Sequence, residues 1–175
     1  MHGFKIAIAT KDGEAGDLIS IGTGFDGEDS SAENGANEST VIKTVDISFD
    51  TVDNNVKRKS GSMLAKIEIK GEILGGAGLR TKYEKLSEWA HDRSADTTYR
   101  DICIAVKADG DTYQVVYVIK NVFVVDYKEI YVCDGNVHDE EKDRFELRLT
   151  QMENNLDKID ILSSWPSDQR FGSKG

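Results

Sequence analysis

Between Met63 and Ile73 the chain alternates with a period of two. Ile67, Ile69 and Ile73 fall on one side, while Lys66, Glu68, Lys70 and Glu72 fall on the other. Successive side chains of an extended strand point to opposite faces, so this run predicts a strand with one buried and one wet face, the pattern of an antiparallel sheet. Gly75-Gly76-Ala77-Gly78 then breaks the strand, and Leu79, Tyr83, Leu86 and Trp89 recur at helical spacing. Lys82, Glu84, Lys85, Glu88 and Asp92 occupy the remaining, mostly opposite, face. The spacing predicts one amphipathic helix over 79–91, pinned to the sheet by Leu79, Tyr83, Leu86 and Trp89.

The rest reads almost entirely as strand. Phe4, Ile6 and Ile8 alternate, a turn-rich stretch follows, and Leu18 to Ile21 completes an N-terminal hairpin. Val45, Ile47 and Phe49 share one face of a strand over 41–52. Asp101 to Lys107, Thr112 to Ile119, Val122 to Tyr131 and Arg144 to Thr150 read as four more strands, with Asp109-Gly110-Asp111 as a hairpin turn between the first two. Seven or eight short strands, one helix and no βαβ alternation predict a mainly β fold: a closed antiparallel β-barrel with one flanking α-helix.

Two stretches depart from this pattern. Gly22 to Thr40 is dominated by Gly, Ser, Asp, Glu and Asn, with Phe25 as its only large apolar residue. Such a segment buries too little surface to offset its ordering entropy, so residues 22–40 are expected to form a mobile arm. After Gln151, Leu156, Ile159 and Leu162 recur every third residue, which fits either a helical turn or a docking segment. Trp165 reads as a hydrophobic anchor and Ser167 to Gly175 as a frayed end. The expected organisation is one barrel domain over 1–162 and a tail over 163–175.

Composition narrows the function. With 32 acidic against 22 basic side chains, the net charge of −10 argues against a nucleic-acid binder, which needs a basic face to displace counterions from phosphates. No apolar run approaches the roughly 20 residues that span a bilayer. The opening MHGFKIAIATKDG has no signal-peptide pattern, which sets the expectation of a cytoplasmic protein. Cys103 and Cys133 read as reduced packing residues. His2, His91 and His138 stand in no zinc-ligand spacing, and His91 suits the C-terminus of the helix. The acidic loop 134–143 lacks the ligand order of a calcium loop, and Gly71 to Gly78 lacks the Lys-Ser/Thr of a phosphate loop. No catalytic residue, cofactor or metal site is expected.

The order of elements resembles a known family. It comprises the alternating strand Leu64 to Ile73, the helix Lys85 to Ala90, the strand Tyr99 to Val106, the run Asn121 to Glu129 and the strand Phe145 to Gln151. In that order they resemble the tube proteins of contractile phage tails and type VI secretion systems. They look most similar to clostridial tail-tube-like proteins, some of which carry the name "membrane-associated protease". The resemblance covers residues 63–151 and more loosely the N-terminal hairpin and arm. It implies a structural, non-enzymatic subunit that forms homo-hexameric rings, stacked as the inner tube of a phage tail, bacteriocin or secretion machine. It also implies sheath and baseplate partners, no membrane association, and cargo or DNA that passes without specific binding. On that reading Lys66, Glu68, Lys70, Glu72, Glu146 and Arg148, with Thr150, are the candidate lumen-facing residues. Phe25, Val45, Ile47 and Phe49 are the candidate inter-subunit contacts of the arm. The alternatives are a non-enzymatic binding or adaptor module on a related barrel and, more distantly, the hydrolase that the protease name suggests.

Overall fold

The computed structural model describes residues 3–13, 17–23, 41–51, 63–73, 77–107, 113–133, 142–152 and 159–172. Among these residues eight strands and one helix follow in chain order: β1 (Gly3–Ala9), β2 (Ile19–Thr23), β3 (Val41–Thr51), β4 (Met63–Glu72), α1 (Ala77–His91), β5 (Arg100–Lys107), β6 (Tyr113–Ile130), β7 (Arg144–Gln151) and β8 (Ile159–Leu162). A 3-10 turn at Gln169–Phe171 ends the described chain. The strands form one antiparallel sheet in the order β2-β1-β5-β6-β7-β4-β3, with β8 added beside β6.

The long strand β6 organises the molecule. Its first half pairs with β5 on one side and β8 on the other, and its second half pairs with β7. The sheet therefore has two halves, β2-β1-β5-β6-β8 and β6-β7-β4-β3, joined through one strand. Sequence reading divides this strand in two at Lys120-Asn121. The structure instead turns it there without ending it. Asn121 adopts φ 56°, a left-handed conformation that asparagine tolerates better than most residues. Its N–H donates to Asp101 Oδ1 at 3.0 Å, and its carbonyl accepts from Met152 N–H at 2.9 Å. Gln151 Nε2 donates to the neighbouring Lys120 carbonyl at 3.0 Å. A corner whose backbone groups are satisfied by both flanking strands can bend without fraying.

The main core lies between the two halves. Ile6, Ile8, Ile21, Ile67, Ile69, Ile102, Ile104, Ile119, Phe145 and Leu147 are buried there. Tyr83, Leu86 and Trp89 of α1 join the same cluster, so the helix lies against the core from one side. Trp89 Nε1 donates to the Thr98 carbonyl at 2.9 Å, and Arg100 lies 5.4 Å from its ring centroid. Tyr83 caps the preceding strand by donating to the Glu72 carbonyl at 3.0 Å. The side chain of Leu79 lies outside the described residues. His91 ends the helix, with Nδ1 2.8 Å from the Ser87 carbonyl.

The fold is mainly β with one helix and an antiparallel sheet, but its hydrogen-bonded path does not close. The end strands β2 and β3 come within 8 Å at their Cα atoms and are not paired with each other among the described residues. β2 has five residues and β3 eleven, so β2 is too short to cover the β3 edge.

In the tail, Ile159–Leu162 pairs as a strand on β6, the docking segment of the two alternatives rather than the helical turn. The end of the chain differs from expectation. Residues 167–172 are not frayed: Phe171 is buried with Trp165 against Ala7, Ala9, Cys103, Ala105, Val116 and Val118, a second cluster on the outer side of β1, β5 and β6. Small side chains on these strands leave a flat apolar surface that two aromatic rings can cover. Cys103 packs there as expected, whereas Cys133 is exposed because it follows the end of β6, where the ladder has stopped. The arm residues 24–40, the loop 52–62, the turn at 109–111 and most of the acidic loop lie outside the described residues.

Candidate functional site: a mixed-charge sheet face

The two halves of the sheet treat their outer faces differently. The half containing β1 and β5 is covered by the tail, while the half formed by β3, β4, β7 and the end of β6 keeps a polar outer face. Its registry follows from alternation: once Ile67 and Ile69 point into the core, Lys66, Glu68 and Lys70 must point away. Three cross-strand rows result. Ser48, Lys66 and Thr150 form one, Asp46, Glu68, Arg148 and Asp126 the next, and Thr44, Lys70, Glu146 and Lys128 the third.

Opposite charges meet within and between the rows. Arg148 Nε lies 3.2 Å from Glu68 Oε1, and Lys70 Nζ lies 3.3 Å from the same oxygen. Those two hydrogen bonds hold the Glu68 carboxyl below its usual range, that of Arg148 being the larger cause. Lys66 reaches Asp50 at 2.9 Å, and Lys128 reaches Glu146 at 3.7 Å. Such exposed pairs contribute little individually, but they leave a hydrated surface of alternating sign. A hollow of about 450 Å³ is lined by Asp46, Ser48, Lys66, Glu68, Val125, Arg148 and Thr150, with Ile67 and Leu149 below.

The structure places Lys66, Glu68, Lys70, Glu146 and Arg148 together on this face. Glu72 ends the same strand near α1, where Lys43 Nζ sits 2.7 Å away and Lys142 Nζ 3.9 Å away. Val45 and Ile47 pack against the main core, while Phe49 is exposed, with its ring 6.5 Å from that of Tyr117. Phe25 lies outside the described residues.

Sequence reading missed Asp46, Asp126, Lys128 and Val125. Asp46 was legible, since it alternates with Val45 and Ile47. The other three were hidden by a bulge between Val124 and Asp126, which inverts the phase of the strand and leaves Val125 exposed. Val122-Phe123-Val124-Val125 has no alternation that could reveal the inversion.

Other polar groups have local structural explanations. Tyr127 and Tyr131 donate to the two oxygens of Glu129 at 2.5 and 2.6 Å, tying down the end of β6. Burial pushes the Cys103 thiol up to about 12, the reverse of what a nucleophile needs. Among the described residues no group of three or more His, Cys, Asp or Glu is placed to hold a metal ion. Among them, no helix is long and apolar enough to cross a membrane.

No protein-family model matches the chain, and no curated protein matches it. Among solved structures it is similar to a chain of the sheath–tube complex of the PVC extracellular contractile injection system in the extended state. That match has 14% identity and a TM-score of 0.48, and it covers 91% of this chain and 88% of the other. A chain of the sheath/tube terminator of the same system matches at 13% identity and a TM-score of 0.46, covering 91% and 92%. A crystal structure of an Hcp protein matches at 11% identity and a TM-score of 0.44, covering 93% and 99%. With every TM-score below 0.5, the residue roles proposed below rest on this chain's own sequence and geometry.

Proposed function

We propose that this chain is a structural subunit that assembles into hexameric rings, stacked as the inner tube of a contractile injection system. The observation that carries the reading is the half-sheet β3-β4-β7-β6. Its outer face is a hydrated lattice of paired charges, and its last strand, β3, has eleven residues and, among the described residues, pairs with no strand beyond β4. A long unpaired edge is a template for pairing with another chain, and proteins that remain single usually shorten or block it. Joining β3 to a neighbouring copy would satisfy that edge, extend the sheet around a ring and place the mixed-charge face on a common wall. Lys66, Glu68, Lys70, Glu72, Glu146 and Arg148 would then line a hydrophilic lumen, through which a polymer passes without sticking.

The finer assignments belong to the same proposal. Phe25, Val45, Ile47 and Phe49 would contribute to contacts between subunits, with Phe49 best placed because it is exposed at the β3 end. Within the subunit β2 would cover part of the β3 edge, and the length that β2 leaves uncovered would pair with the neighbour. Sheath and baseplate proteins would be its partners, and no catalytic step is assigned to it. Negative-stain microscopy of the purified protein tests the reading, which expects rings or tubes. Uniform monomers at every concentration would favour the second reading, a non-enzymatic binding module. The hollow at Val125 is the feature that favours that alternative.

A further inference from the structure

The outer face of β1, β5 and the first half of β6 carries a segment whose role the ring reading leaves open. Residues 163–172 cross that face with two aromatic anchors. Trp165 is 5% exposed and Phe171 2%, whereas Ser163, Ser164, Ser167 and Gln169 are exposed. Trp165 Nε1 donates to the Gly172 carbonyl at 3.3 Å, closing the segment on itself. Lys5 Nζ lies 4.4 Å from the Trp165 ring centroid. The cluster these rings complete is separate from the main core.

One side chain ties this segment to the corner of β6. Arg170 Nη1 donates to Asp101 Oδ2 at 3.0 Å and lies 3.4 Å from the Thr10 carbonyl. Arg170 Nη2 donates to Asp168 Oδ2 at 2.7 Å, and Asp168 Oδ1 accepts the Arg170 N–H at 3.0 Å. The other oxygen of Asp101, Oδ1, holds the N–H of left-handed Asn121. Asp101 is 4% exposed. A buried carboxylate is costly to leave without its counter-ion, so its hold on Asn121 depends on Arg170 being in place.

We propose that residues 163–172 form a latch that opens as a unit while the sheet stays folded, and that its docked state fixes the β6 corner through Arg170 and Asp101. Segments with few buried anchors open at lower free energy than the sheets they cover. Here two aromatic rings and one charge cluster hold ten residues. Opening uncovers Ala7, Ala9, Cys103, Ala105, Val116 and Val118 and frees the corner that sets the angle between the two half-sheets. On the ring-forming reading, an open latch withholds a subunit from assembly, because the polar face hangs from the second half of β6.

The test uses the full chain as a monomer, so its failure is separate from any failure of ring formation. A Cys133→Ser background leaves Cys103 as the single thiol, covered when the latch is docked. Thiol labelling by a maleimide then reports opening, and amide exchange of Asn121 reports the corner. Arg170→Gln should accelerate both by about tenfold or more, while the amides of Ile69 and Leu147 stay protected. Arg170→Lys keeps the charge without the fork and should fall between the two; it also serves if Arg170→Gln does not fold. Faster Cys103 labelling with an unchanged Asn121 amide would overturn the coupling. Labelling that moves only together with Ile69 and Leu147 would show that the segment opens with the whole sheet, and would overturn the latch.

Discussion

Asp101 shows how one side chain can serve two parts of a fold at once, holding a strained backbone with one oxygen and a distant arginine with the other. The glycine beside that arginine is equally constrained. Gly13 has φ 66°, and a Cβ there would stand 2.6 Å from Arg170 Cγ. Gly13→Ala should therefore destabilise the protein by about 1 kcal/mol or more in urea denaturation, and Arg170→Ala, which removes the Cγ and Cδ that a Cβ at Gly13 would meet, should absorb part of that cost. Acid should act on the same cluster. The hydrogen bonds of Arg170 hold the Asp168 carboxyl below its usual value. A depressed carboxylate contributes stability that is complete above its unfolded pKa of about 3.9 and is lost as pH falls through the folded value. Trp165 emission in a Trp89→Phe background should thus be flat above about pH 5 and shift below about pH 4. A shift on raising the pH would contradict the assignment. None of this was legible in the sequence, because Asp101, Gly13 and Arg170 are far apart in the chain and each looks like an ordinary surface residue.

Elements with one buried face were the readable ones. β4 and α1 each carry their own periodicity, so spacing alone puts Ile67, Ile69, Tyr83, Leu86 and Trp89 inside, where they are found. Trp89 illustrates the energetic consequence: it is 2% exposed, and its indole N–H is satisfied. Trp89→Ala should cost roughly 3–5 kcal/mol, read from the midpoint of a denaturant titration at constant slope. A loss below about 1 kcal/mol would show that the helix is not part of the core. β6 was harder to read for the opposite reason. It is buried on both faces over part of its length, bends at Asn121 and changes phase at Val125, so no single period describes it. Its corner makes a sharper prediction: Asn121→Gly should cost less than Asn121→Val, which places a β-branched residue at positive φ at a cost of about 1–2 kcal/mol. The tail strand β8 was legible only as one of two alternatives, because four residues with only Ile159 facing the core leave too short a pattern to choose.

At the scale of the whole molecule, two features point outward: a β3 edge that no strand among the described residues covers, and a wet, sign-balanced face beside it. On the proposed reading, a neighbouring copy would supply the complementary edge. The acidic composition of residues 22–40 adds a second expectation, since a polar segment of that kind suits the joint between stacked rings. Deleting Gly27 to Asn37 should leave the melting temperature nearly unchanged and abolish long tubes; tubes of unchanged length would remove the arm from the stacking contact. The most direct test of the central claim is a cryo-electron-microscopy reconstruction of the concentrated protein. It should show closed rings in which Lys66, Glu68, Glu146 and Arg148 line the inner wall and β3 pairs with the adjacent subunit. Monomers at all concentrations, or rings that turn this face outward, would contradict it.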